Sequence, residues 1–508
     1  MKRKETEKTS RVAMLELYDA LEKRLKRHRP SDYITWMSKR LAESWSDPKK
    51  FVQIPPHRII HSIEANCAYW KEGYAEPVEW NSVAKIMNTY NDCVDPFQSS
   101  TIHENLGRFF LMMHREQIEL QRRASWAYIM RVWHLFVRTP SMQKTNMEFY
   151  SHFGLTIDHW IKISFLCWVI AVNESGNPFL IKSVPDHTSD IREDTFENFL
   201  KYSSRSPDEI GQYFREIRKV VPYELHSLIR SSFLETPIVR FADERMIVPH
   251  THLLFRHSGE GLYRLAKDLS LFDDEFGDSF ERYVKKVLES LHTHLSIIAN
   301  KQIIKVVKSK SCDFLVELED TVILVECKAC SFSARHFSDE AIMKNNSTGK
   351  VAKGLTQLYA SAKDLEQGLF DKFEVDKNKA TIGIVVTFGE IPSANSDWYF
   401  EEFFLKRADD KLVRAIYPSR QMIRRPIVLD ISALEKLVGL LNAQPKGLPD
   451  LYDERKSQGY AATGDWGIWL YDETLDKDTS ELLTFLQRER VAFLDEIGFS
   501  PEAFPAWG

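Results

Sequence analysis

In the stretch FGDSFERYVKKVLESL the apolar residues Phe280, Val284, Val287, Leu288 and Leu291 recur at helical spacing, which predicts an amphipathic helix with Glu281 beside its buried stripe. The period then shortens. Leu295–Val307 and Asp313–Glu317 read as extended runs, and TVILVECKA, short and rich in β-branched residues, reads as a third strand. Glu319-Asp320 supplies the turn between the last two. Successive strand side chains face opposite ways, so Glu326 and Lys328 share one face and Cys327 takes the other. A hairpin from Asp313 to Glu326 then brings two carboxylates to the same edge of the sheet.

Helical spacing returns in VAKGLTQLYASAKDL, with Leu355, Leu358, Ala362 and Leu365 as the apolar stripe and Gln357 near its start. The apolar runs TIGIVVTF, from Thr381 to Phe388, and RPIVLDIS, followed by a helix Ala433–Leu441, have the make-up of covered strands in an α/β layer. Upstream, residues 10–29 predict a helix with Met14, Tyr18, Leu21 and Leu25 on one face and Pro30 as its stop. The pattern stays helical from Tyr33 to Arg230, and Trp126 and Trp133, in the run Gln117–Arg138, share a core-facing side. A turn signal spans 173–178, and Ser189–Tyr202 and Pro207–Val221 read as two further helices. At TPIVRFADERMIVPHTHLLF the texture becomes that of a hairpin, with His250 and His252 expected to be structural, and a helix Gly259–Asp268 follows. The reading is a large mainly α-helical domain over 1–231, an α/β domain with a lead-in hairpin over 232–445, and an extension over 446–508.

The length of 508 residues fits two or three domains. A net charge of −5 gives no global pull toward polyanions, so a nucleic-acid site must rest on a local patch. Lys301, Lys305, Lys308 and Lys310 form one, in a segment with no acid between Ser296 and Cys312. Lysines there suit phosphate contacts, and they equally suit a strand edge guarded against aggregation. The polar stretch Arg335–Lys353, read as a loop, adds Lys344, Lys350 and Lys353. From Lys446 onward there are thirteen acids against six Lys or Arg, a cap that would repel nucleic acid and pack on the core or meet a protein partner.

Six scattered cysteines fit a reducing cytoplasm better than a disulfide scaffold, and the C-x-x-C of Cys327 and Cys330 lacks a second pair at zinc spacing. The first ten residues carry no signal-peptide core, and the longest apolar run, Phe165–Val172, is eight residues. No P-loop, G-x-G-x-x-G, H-E-x-x-H or G-x-S-x-G is present. Nucleotide-driven, dinucleotide and serine-hydrolase chemistries lose their usual support.

What remains is the acidic edge. Asp313 and Glu326 offer hard oxygen ligands for Mg²⁺ or Mn²⁺, which keeps several waters, with the Cys327 backbone carbonyl as a further donor. An ammonium two residues on, Lys328, can offset charge on a phosphate in transition. Asp313, twelve intervening residues, then Glu326-Cys327-Lys328, preceded by a helix bearing Glu281, resembles the PD-(D/E)XK, or restriction-endonuclease-like, nuclease superfamily over about residues 260–440. The resemblance implies an α/β core with a mixed central sheet flanked by helices, Asp313 and Glu326 as metal ligands, Lys328 as the catalytic lysine and Glu281 as the helical accessory acid. Gln357 matches a glutamine often found on the next helix, where it would position water or phosphate; a solvent-exposed helix residue is its plainer reading. Cys312 stands where the family pattern usually has proline. The expectation is a divalent-metal-dependent nuclease acting on DNA rather than RNA, endonuclease favoured, set in prokaryotic defence against foreign DNA. Self-association or a protein partner would use the N-terminal domain or the C-terminal extension. The rival from another class is a catalytically inactive nucleic-acid-binding or scaffold protein that keeps the fold.

Overall fold

The Asp313–Glu326 hairpin forms two strands of a five-stranded sheet. This computed structural model describes residues 15–46, 55–94, 111, 125–174, 176–180, 191–221, 226, 229–292, 294–307, 311–408, 423–443, 446–457, 466–473 and 483–499. The chain divides into two compact units, one of 1–124 and 149–265, the other of 125–148 and 266–508.

The first unit is mainly helical, with a small four-stranded sheet. Its strands are β1 (Phe179–Leu180), β2 (Ser204–Arg205), β3 (Ile238–Arg240) and β4 (Arg245–Ile247), ordered β1-β4-β3-β2. Helices Pro30–Ser46, Pro56–Tyr69 and Pro207–Val220 each begin on proline, which lacks the N–H that a first turn leaves unpaired. Pro30 starts a helix rather than stopping the one before it, which ends at Leu25. Ser206 and Glu209 close a reciprocal capping box at the head of Pro207–Val220. Leu25, Ile34, Ile63, Val83, Phe214 and Ile247 meet in one buried cluster. His250 is buried, with its ring 5.8 Å from that of His252.

The hairpin placed at the head of the α/β domain belongs instead to this first unit. β4 pairs with β1 and β3 with β2, so its free edges are taken by strands more than thirty residues upstream, and the boundary falls at 265/266 rather than near 232. The segment 125–148 also leaves the helical half. Trp126 and Trp133 are core residues as expected, but of the second unit, where Trp133 meets Phe493 edge-on at 5.4 Å. The acidic extension is likewise part of that unit. Helix Trp466–Glu473 lies against helix Ile431–Ala443, with Trp466 and Trp469 buried.

The second unit holds β5 (Ser296–Ala299), β6 (Phe314–Glu317), β7 (Thr321–Lys328), β8 (Ala380–Thr387) and β9 (Ile423–Asp430), in that spatial order. The pairs β5–β6 and β6–β7 are antiparallel, while β7–β8 and β8–β9 are parallel, so the sheet is mixed. The parallel step from β7 to β8 is bridged by helix Asn346–Glu366, which packs on both strands. Helix Phe272–Glu289 also packs on β7. Its predicted stripe, from Phe280 to Leu291, is buried.

Two local readings are corrected. The run Leu295–Val307 is extended only to Ala299, because Asn300–Ile303 turns helical and the Gln302 side chain accepts from the Ala299 N–H. The stretch 335–353 is mostly helical rather than a loop. Ser338 and Asn345 act as N-caps, for Asp339–Lys344 and for Asn346–Glu366. Among the described residues no single helix is long and apolar enough to cross a membrane.

Candidate functional site

Strand pairing places the first two carboxylates. Phe314 faces Val325 across β6 and β7, which makes Asp313 and Glu326 the next facing positions. The Asp313 N–H donates to the Val325 carbonyl at 2.9 Å, and the Cys327 N–H donates to Asp313 Oδ2 at 2.7 Å, pinning that carboxylate across the end of the ladder. Glu326 is 1% exposed, and its Oε2 has no hydrogen-bond partner. Oε1 accepts from Lys328 Nζ, and the same ammonium donates to Gln357 Oε1 at 2.9 Å. Gln357 is thus tied into the site, its Nε2 donating onward to the Ser311 carbonyl at 3.4 Å.

These groups line one open cleft of about 500 Å³, together with Glu281, Lys353 and the buried Cys327. Burial and the nearby Asp313 push the Glu326 carboxyl up to about 8, against the pull of Lys328. Desolvation in the cleft, then Asp313 and Asp278, lift Glu281 to about 7. Burial raises Asp313 too, opposed by the Cys327 N–H and by Lys328. Three carboxyls held above their ordinary range mark a cluster short of positive charge.

A divalent cation fits that deficit. Asp313 keeps Oδ1 and Glu326 keeps Oε2 beyond their bonds to Cys327 and Lys328, and two hard oxygens with open positions suit Mg²⁺ or Mn²⁺. Among the described residues no three His, Cys, Asp or Glu side chains gather closely enough to hold an ion alone. Water or substrate oxygens would complete the shell, as Mg²⁺ commonly requires.

The predicted lysines divide. Lys353 lines the cleft, and Lys301 and Lys305 are exposed on the turn after β5. Lys344 pairs with Glu340 at 2.5 Å, and Lys350 lies 3.6 Å from Asp273, both outside the lining. Lys308 and Lys310 fall outside the described residues.

Sequence reasoning missed three supporting residues. Asn300 donates its side-chain N–H to the Cys312 carbonyl at 2.9 Å and its backbone N–H to the Asp313 carbonyl at 2.7 Å, anchoring the entry to β6. Ser361 Oγ accepts from the Cys312 N–H at 2.8 Å. That N–H exists because residue 312 is not proline. Gly354, one turn before Gln357, lets the helix approach the site, since a Cβ there would sit 3.1 Å from Lys328 Cε and 3.3 Å from Glu326 Cγ. A glycine in mid-helix beside a predicted site glutamine was the available signal. Gly354→Ala is expected to leave the melting temperature close to wild type, because better helix propensity offsets crowding, while displacing Lys328 and lowering turnover about tenfold. Unchanged turnover in a parallel thermal and kinetic comparison would count against this tight fit.

No family model matches the chain, and neither do any curated protein or solved structure.

Proposed function

We propose that this protein is a divalent-metal-dependent phosphodiesterase of the PD-(D/E)XK kind, a nuclease acting on DNA, with endonucleolytic cleavage and a role in prokaryotic defence as the favoured setting. The observation that carries the reading is the buried, unpartnered Oε2 of Glu326 facing the same cleft as Asp313, with Lys328 clamped between Glu326 and Gln357. When bound, Mg²⁺ or Mn²⁺ supplies Lewis-acid activation of the phosphoryl group and a more acidic coordinated water.

The chain's own groups do the rest. Asp313 and Glu326 hold the acidic edge, and the Cys327 carbonyl would be a further oxygen donor there. Lys328 Nζ, fixed by two acceptors, sits ready to offset charge developing on the scissile phosphate. Gln357 orients that ammonium and presents its amide to water or phosphate. Glu281, lifted to about 7, takes and returns a proton near neutral pH at its carboxylate. Lys301, Lys305 and Lys353 provide phosphate contacts without sequence readout.

Purified protein incubated with plasmid and single-stranded DNA should cleave with Mg²⁺ or Mn²⁺ and stop with EDTA. Binding without cleavage in every metal would instead favour a catalytically inactive nucleic-acid-binding protein. Lys353→Ala should flatten the dependence of log affinity on log salt by up to about 0.9 for duplex DNA. Lys344→Ala, already engaged with Glu340, should change it less. Equal slopes for wild type and Lys353→Ala would return Lys353 to the solvated surface.

A further inference from the structure

Arg131 and Glu435 lie 304 residues apart and form a buried bidentate ion pair, Nε to Oε1 at 2.7 Å and Nη2 to Oε2 at 2.6 Å, with side chains 5% and 2% exposed. Tyr283 completes it, donating its hydroxyl to Glu435 Oε1 at 2.6 Å. Three elements meet at this point. Arg131 comes from the segment 125–148, Glu435 from the helix after β9, and Tyr283 from the helix that carries Glu281 two residues earlier.

The Glu281 helix presents its buried face through Phe276, Phe280, Val284, Val287 and Leu288, an apolar stripe that sets its rotation coarsely. Directional bonds set it more finely. On that side Tyr283 bonds Glu435, Ser279 Oγ donates to the Leu135 carbonyl at 2.6 Å, and Glu275 Oε2 accepts from both the N–H and the hydroxyl of Thr145 at 2.8 Å. Two of these partners lie in 125–148, and Leu135 sits in the π-helical turn His134–Arg138, a backbone irregularity that recurs where geometry is specialised. Burying a charge pair costs desolvation comparable to its attraction, which leaves geometry as what such a pair can contribute.

We propose that Tyr283, held by the Arg131–Glu435 pair, is a positioning residue for Glu281, and that the segment 125–148 is a strap setting the rotation of the helix that brings this carboxylate to the cleft. The inference rests on reading Asp313, Glu326 and Glu281 as one acidic centre.

Calorimetric Mn²⁺ binding to the full-length protein tests it, with Tyr283→Phe, Glu281→Gln and the double variant compared and thermal unfolding recorded alongside. Tyr283→Phe should weaken Mn²⁺ binding roughly three- to tenfold, a size usual for residues that act through an intervening element. The same change made in Glu281→Gln should add nothing. Ser279→Ala, removing a neighbouring directional bond, should shift affinity in the same direction and serves if Tyr283→Phe does not fold. Wild-type Mn²⁺ affinity in Tyr283→Phe and Ser279→Ala, or losses that multiply with that of Glu281→Gln, would overturn the positioning role while leaving the acidic centre intact. Absence of Mn²⁺ binding by wild type would overturn the acidic-centre reading itself, and the inference with it.

Discussion

Lys328→Ala is expected to slow single-turnover DNA cleavage by about 10²–10³, near 3–4 kcal/mol, the usual cost of one preorganised electrostatic contact in a transition state. DNA affinity, measured in parallel with Ca²⁺, should move far less. The difference follows from when the ammonium acts: in the resting site it is occupied by Glu326 and Gln357, and its charge matters most as charge builds on the phosphate. Cys327→Ala is the control. The substitution removes a buried thiol that borders the carboxylate cluster, but it leaves Glu326, Lys328 and the backbone N–H that holds Asp313 in place. If Cys327→Ala were the more damaged of the two, the chemistry would not lie on the face that Lys328 occupies.

Asp313→Asn and Glu326→Gln should each remove the response to metal. Losing one of two inner carboxylates should weaken Mn²⁺ binding by more than the roughly 10–100-fold typical of an outer-shell partner. The metal-free stability should go the other way. Asp313 and Glu326 are raised by burial, and the charge of Asp313 adds to the rise of Glu326, so neutralising either relieves a folded state that holds uncompensated acid. Melting temperatures without metal should therefore equal or exceed wild type, while the stabilisation that wild type gains from added Mn²⁺ disappears. Variants that melt far below wild type without metal would show that these carboxyls serve the fold and not a cation.

Much of the core was legible because its signals are local. The β-branched run of β7, the Glu319-Asp320 turn and the Phe280–Leu291 stripe each fit within a short window, and strand alternation alone put Glu326 with Lys328. What failed depended on distant partners. The 238–247 hairpin resembles a lead-in to the next domain until β1 and β2 claim its edges from upstream. Residues 125–148 look like more of the helical half, yet Arg131 finds its partner at Glu435. Helix caps misled as well. Ser338 and Asn345 turn a polar stretch into two helices, and Asn300 ends β5 early by reaching across to residues 311–313. Gly354 stood out as a mid-helix glycine beside Gln357, but the close approach it allows shows itself only once the helix is seated on the sheet.

The most direct measurement is cleavage of plasmid DNA by wild type and Asp313→Asn, purified identically and assayed with Mg²⁺, with Mn²⁺ and with EDTA. The account predicts metal-dependent hydrolysis by wild type, none in EDTA, and loss of cleavage in Asp313→Asn although the variant remains folded. Equal cleavage by the two proteins, or wild-type cleavage that persists in EDTA, would contradict it.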